Sequence, residues 1–276
     1  MKNFLFTFIL LCLFIACGKQ KNDSQALFDR IKNSVEQQQF NLAKQQIDSL
    51  NTVFRENIPL RKAANKLLYE IELVELEQNM AYFSELIPCK KLEMDSIFQY
   101  FVFNKNEPYL SEGRYIHRDI AYADNPTDIY LKVHLKDSGE LFLISIYCGE
   151  KDCLYQSVRV SGNGFFVSSP EINIYESNNY GFSDDSYYWR MLLFSDKESL
   201  EIVRFVAARA NEKITVSLIG NGCFYEYVLD EKHKKAIRDT YYLSTLIKEI
   251  KSLQVNITNT QKQIKNTKRK IDFFYN

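Results

Sequence analysis

The chain holds three histidines, at positions 117, 134 and 233, and His117 is followed by Asp119 and Asp124 in a stretch that reads as a loop. An imidazole flanked by two carboxylates is a minimal kit for acid–base or metal-assisted hydrolysis, so His117, Asp119 and Asp124 are the candidate hydrolytic set. Their spacing follows no recognised metal-ligand pattern, and zinc needs about four ligands. His134 alternates with apolar residues in a strand-like run, and His233 falls in the first turn of the last helix; neither has an obvious partner in sequence. No G-x-S-x-G, H-E-x-x-H or P-loop occurs. The sequence therefore assigns no catalytic residue, no metal site and no cofactor, and an enzyme is the weaker expectation.

A second chemistry lies in the aromatics Tyr180, Phe182, Tyr187 and Trp189, spread over a stretch read as a turn (178–182) followed by a strand. Such rings can stack on a sugar or a peptide, although aromatics in a strand more commonly fill a core. Cysteines offer a third. Cys148 and Cys153 bracket Gly149-Glu150-Lys151-Asp152 between two strand-like runs. A four-residue hairpin loop would set them opposite each other at bridging distance, so a Cys148–Cys153 disulfide is expected. Cys89 and Cys223 are left to pair or to stay as thiols.

The sharpest motif stands at the start. Lys2 precedes an apolar stretch, Phe4 to Ala16, interrupted by Thr7 and closed by Leu13-Phe14-Ile15-Ala16-Cys17-Gly18. Thirteen residues suit a secretory h-region and fall short of the roughly 17 to 25 that span a bilayer. The segment resembles the signal peptide of bacterial lipoproteins, with Phe14 where the family usually has leucine. That resemblance implies cleavage before Cys17 and lipidation of Cys17. It further implies a palmitate-type acyl anchor in the cell envelope of a Gram-negative bacterium, at the outer membrane, and hence a compartment that permits disulfides.

Composition narrows what the rest can be. With 46% hydrophobic and 14% aromatic residues the chain can bury a large core, which argues against global disorder. A formal net charge of zero argues against nucleic acid as a partner. Charge is nonetheless segregated: 70–85 holds five glutamates and no cation, and 262–270 holds five cations and no acid, followed by Phe273, Phe274 and Tyr275. The first run reads as a solvated face or a docking surface for a basic partner. The second suits a solvated helix or an anionic membrane surface.

These residues need elements to position them. After a signal peptide (1–16) and a lipidated tether (17–23), residues 24–104 carry helical periodicity, with Leu27, Ile31 and Val35 on one face and Leu42, Ile47, Leu50 and Val53 on another. The turn Gln39-Phe40-Asn41-Leu42-Ala43 resembles that of a single tetratricopeptide unit. Asn57 and Pro59 start a third helix, Pro88 is expected to stop it, and a shorter helix is expected over 92–103. Residues 110–229 read as a β-rich domain of seven or eight strands, mostly antiparallel, with one helix capped by Ser195 and Glu198. From about Asp230 to the end, Leu243, Ile250, Ile257, Ile264 and Ile271 recur every seven residues, with Leu246, Leu253, Thr260, Thr267 and Phe274 as companions. That repeat predicts a coiled-coil-like helix over 230–276, expected to pack on the N-terminal helices rather than on a second copy. The fold class is thus α+β: an N-terminal helical hairpin or bundle, a central antiparallel β domain and a long C-terminal helix. Function follows only as a class: a membrane-anchored envelope lipoprotein acting as a protein-interaction or structural module. Glycan or peptide binding is the first alternative and an envelope hydrolase the second.

Overall fold

Helical and strand periods alternate along the chain in three blocks, and the structure, a computed structural model, shows what each block packs against. It describes residues 22–104, 113–121, 127, 129–184 and 186–274. These form two compact units, Met1–Leu86 with Leu253–Asn276, and Ile87–Ser252. The architecture is α+β, with two antiparallel sheets.

In the first unit, helix α1 (22–36) is already helical at residues 22 and 23, which the sequence assigned to the tether. Phe28 and Ile31 of α1 join Ala43, Ile47 and Leu50 of α2 (Phe40–Val53) and Ala64 and Ile71 of α3 (Ile58–Phe98) in one buried cluster. The α1–α2 turn is tight because Gln38 takes a left-handed conformation (φ 57) and the Gln39 N–H donates to Ser34 O at 2.8 Å. Asn57 caps α3, its side-chain oxygen accepting from the Leu60 N–H at 3.4 Å, and Pro59 sits in the first turn, where its missing N–H costs nothing. Asn57 also donates to Ser24 Oγ at 3.0 Å, which ties the start of α1 to the α2–α3 turn.

The end of α5 (Glu231–Phe273) lies antiparallel to α3 in this unit: Phe274 meets the Tyr69 ring at 5.9 Å and Lys268 meets Glu77 at 3.2 Å. Here the heptad stripe faces inward, with Thr260 and Thr267 buried and the isoleucines half-buried. Part of the glutamate run is matched by cations within the unit, Glu75 by Lys44 at 2.6 Å and Glu70 by Lys66 at 3.6 Å.

Pro88 does not stop α3; the helix runs through it to Phe98. An interior proline costs about 3 kcal/mol. Met94, Ile97 and Phe98 beyond it pack against the core of the second unit, and that burial offsets the cost. The expected helix over 92–103 is thus the last part of α3, and Phe101–Asn104 turns into a strand, β1.

The second unit holds a six-stranded sheet in the order β1-β2-β3-β4-β8-β7 and a four-stranded sheet in the order β10-β9-β5-β6. The first comprises β1, β2 (Arg114–His117), β3 (Tyr130–Lys136), β4 (Leu141–Gly149), β7 (Asn179–Ser183) and β8 (Tyr188–Phe194). The second comprises β5 (Tyr155–Gly162), β6 (Phe165–Ser168), β9 (Thr215–Gly220) and β10 (Cys223–Val228). Leu131, Val133, Leu143 and Leu192 of the first sheet share one core with Val158, Val160, Val216 and Leu218 of the second. Ile202, Val203 and Val206 of α4 (Asp196–Ala208) and Ile237, Leu243 and Ile247 of α5 complete that core. Glu198 caps α4 as expected, accepting from the backbone N–H of Ser195 at 2.9 Å and from its hydroxyl at 2.7 Å. One expectation is corrected: the supposed turn at 178–182 is mostly β7, Asn179–Ser183.

The expected hairpin disulfide is corrected. Cys153 pairs with Cys223, their Cα atoms 5.1 Å apart, and Cys148 is a buried free thiol whose pKa burial pushes up. The reason is topological. Cys148 ends a strand of one sheet and Cys153 leads into a strand of the other, so the loop between them changes sheet instead of closing a hairpin. The bond draws β10 across the end of β9 towards β5, and Gly220 sits where a Cβ would overlap the Leu154 carbonyl and Tyr155 Cα. Cys89 is a free, exposed thiol on α3.

Closing a loop of 70 residues contributes about 4 kcal/mol in the chain-entropy picture. Cys223→Ser should therefore lower the thermal midpoint of the β-rich unit by roughly 10 °C, and Cys148→Ser far less. Peptide mapping without reductant should recover a crosslinked peptide holding Cys153 and Cys223; a Cys148–Cys153 peptide instead would refute the topology.

Candidate functional site

Tyr180, Phe182 and Trp189, three of the aromatics singled out in sequence, lie on the face of the six-stranded sheet turned away from the core. In an antiparallel sheet, directly paired residues share a face, so register alone defines rows of side chains. Phe182, Trp189 and Cys148 form one row, and Tyr180, Met191, Ile146 and Tyr130 the next. Leu193 and Ile144 follow, then Phe142 with His134. A sheet face that meets water ordinarily reads polar, whereas here the rows are apolar from β4 to β7, with Lys132 of β3 opposite Ile144. The four-stranded sheet is mixed on its outer face, with Ser157, Arg159, Ser217 and Glu226 beside Ile219, Phe224 and Phe166, and with Ser217 donating to Glu226 at 2.6 Å.

Burial on the apolar face is graded. Ile144 and Cys148 on β4 are buried, whereas Tyr180 and Phe182 on β7 are 59% and 51% exposed. β7 is also the end strand of its sheet, so one of its backbone edges pairs with no strand in the described sheet. Three of the four aromatics singled out in sequence interlock across the β7–β8 pair. Phe182 and Trp189 stack at 5.0 Å, nearly parallel, and Tyr187 meets Trp189 edge-on at 6.0 Å; Tyr180 lies 6.0 Å from Phe182.

A polar network behind the strand fixes it. Asn179 donates to the buried carbonyls of Tyr155 and Ile172 at 3.2 and 3.3 Å, and accepts from Arg190 at 3.2 Å. Arg190 reaches on to Asp152 at 3.4 Å. Gly181 leaves room for that guanidinium, which a Cβ would meet at 2.9 Å. Tyr155, fully buried, donates to the Ser145 carbonyl at 2.9 Å and so bonds the two sheets; burial raises its pKa far above the phenol norm.

The second candidate constellation dissolves into structure. His117 and Asp119 do come together: the Asp119 N–H donates to His117 Nδ1 at 3.2 Å, which places the neutral ring's proton on Nε2. That nitrogen faces Asp239, 3.4 Å away on α5, a partner that sequence separation concealed. Lys235 of α5 binds Asp119 at 2.9 Å. His117 has no exposed surface, and burial, then Lys235, pull its pKa below the usual imidazole range. The Lys235 hydrogen bond holds Asp119 low as well. An enclosed imidazole with both nitrogens engaged cannot take a proton from a substrate; this cluster instead pins the start of α5 to β2. Asp124 lies outside the described residues, as does Cys17. Among the described residues no group of three or more His, Cys, Asp or Glu side chains is arranged to hold a metal.

His233, without an obvious partner in sequence, bonds the Asp230 carboxylate at 2.9 Å and stacks on Tyr130. His134 lies buried on the apolar sheet face, and neither of its ring nitrogens has a hydrogen-bond partner among the described residues. No family model, curated protein or solved structure matches this chain, so the chemistry rests on its own geometry.

Burial pushes the His134 pKa down to about 3, with Lys132 and Arg114 adding to the effect. Unfolded, the same ring binds a proton below about pH 6.5. The unfolded chain therefore takes up more protons as pH falls, and stability present above pH 6.5 is lost below it, by up to about 1.4 kcal/mol per pH unit. His117, also held low, acts in the same direction. Urea unfolding between roughly pH 6.5 and 4.5 should show a shallower loss for His134→Phe than for the parent chain. An unchanged slope would mean that the ring protonates in the folded state.

Proposed function

We propose that this chain is a lipid-anchored lipoprotein of a Gram-negative cell envelope whose β-rich unit docks a protein partner along β7. The observation that carries the docking is the apolar outer sheet face, which becomes exposed towards an end strand bearing Tyr180 and Phe182. An end strand offers unpaired backbone groups, and natural proteins commonly guard one with lysine, proline or a bulge. β7 reads Asn-Tyr-Gly-Phe-Ser and carries none of these. An extended segment added there would gain main-chain hydrogen bonds and lay alternate side chains on the aromatic rows.

The anchor rests on the motif ending at Cys17, and the Cys153–Cys223 bond supports it, because such bonds persist in oxidising compartments. Among the described residues no helix is long and apolar enough to cross a membrane. The glycan alternative is less well supported. Phe182 and Trp189 lie face to face, which occupies one ring face of each and leaves less of the open platform that a sugar needs. The buried His117 cluster gives the hydrolase alternative no support.

A photo-crosslinking residue placed at Tyr180 or Phe182, in cells, should capture a discrete protein. The same probe at Phe224, exposed on the other sheet, should not. Equal labelling at both positions, or none at Tyr180 and Phe182, would remove β7 as the docking edge.

A further inference from the structure

The first unit has a distinct end near the start of α1. Helices α1, α2 and α3 run up, down and up, so the start of α1, the end of α2 and the start of α3 share one end. The Asn57–Ser24 hydrogen bond closes that end. Cys17 is five residues before the first described helical residue, a span of at most about 17 Å for an extended chain.

This end has an unusual surface. Val53 and Ile58 flank the α2–α3 turn and are 63% and 58% exposed, with Pro59 exposed beside them. Arg55 and Lys62 are exposed and Arg61 half-buried, its guanidinium donating to the Arg55 carbonyl at 2.9 Å. Asp23 and Glu56 are the acids described beside them. Arg55, Arg61 and Lys62, around two uncovered aliphatic side chains, suit an anionic phospholipid surface.

The C-terminal basic run is the competitor, and its placement is less favourable. Lys270 lies over the Tyr69 ring at 4.9 Å and Lys268 pairs with Glu77. Tyr69 is twelve residues beyond Asn57 along α3, about 18 Å up the helix from the tether end. We propose that the α2–α3 turn, through Val53, Ile58, Arg55 and Lys62, seats in the headgroup region of an anionic membrane. It would form a second contact beside the acyl chains, which holds the bundle end-on. The inference rests on the anchoring of Cys17 proposed above.

The test uses the full chain, recovered from membranes and reconstituted into phosphatidylcholine vesicles with or without phosphatidylglycerol. Trp189, the chain's one tryptophan, is first replaced by phenylalanine. Ile58→Trp and, separately, Val53→Trp then report contact through quenching by brominated lipid, and Phe273→Trp serves as the comparison. The introduced tryptophans at 58 and 53 should lose most of their emission, more so with phosphatidylglycerol, while the one at 273 stays bright. The added Arg55→Gln and Lys62→Gln pair should restore emission at 58. Mass measurement of the Cys17 peptide reports the anchor independently. A peptide without acyl chains overturns the anchor and this inference together. An acylated Cys17 with position 58 as bright as in solution, or with 273 quenched as strongly, overturns this inference alone.

Discussion

Strand β4 is apolar on both faces, and a strand with no polar side must be covered twice. Leu141 and Leu143 point into the core shared by both sheets, α4 and α5, while Ile144, Ile146 and Cys148 point the other way. Its neighbour β8 has the same character, with Leu192 and Phe194 inward and Trp189, Met191 and Leu193 outward. One face is satisfied by tertiary packing. The other is satisfied near the sheet centre by flanking side chains and is left open where the sheet ends at β7. The exposed aromatics are the unfinished margin of that second apolar layer, which is why the proposed docking surface lies there.

Groups that resemble catalytic chemistry in the sequence are used to hold the second unit together. His117, Asp119, Lys235 and Asp239 join β2 to α5 in a site closed to solvent on the imidazole. Tyr155, Asn179 and Arg190 bond the two sheets and the end strand through carbonyls that would otherwise be buried without donors. Leaving one such group unpaired costs about 1 to 3 kcal/mol, so these residues are constrained whatever the protein binds. The disulfide does related work at the far end of the four-stranded sheet, where Gly220 admits the close approach of β5.

In the first unit the deciding constraint is helix length. Two short runs, α1 and α2, return the chain to the end where α3 begins, and Asn57 fixes that end by capping α3 and bonding Ser24 with the same side chain. Because α5 reaches only to the level of Tyr69, its basic stretch lies along the flank of α3, where Lys268 and Lys270 find Glu77 and an aromatic ring. The basic, apolar turn at 53–62 is therefore the surface nearest the tether.

Local signals that depend only on neighbours in sequence were legible. These include the heptad stripe of α5, the Ser195–Glu198 cap, the Asn57–Pro59 start, the alternation in β3 and β4, and the α+β class itself. Signals that depend on which strands pair were not. Asn178 and Asn179 look like turn residues, yet Asn179 belongs to β7 because two buried carbonyls need its amide. Pro88 looks like a stop, yet packing beyond it outweighs one lost hydrogen bond. Cys148 and Cys153 look like a hairpin pair, yet the loop between them carries the chain from one sheet to the other. The sequence by itself determined the α+β class and the order of its helical and strand blocks, since periodicity and caps act over a few residues. Only the tertiary structure decided the disulfide partner, the burial of His117 and the exposure of Tyr180 and Phe182, because each turns on contacts between segments far apart in the chain.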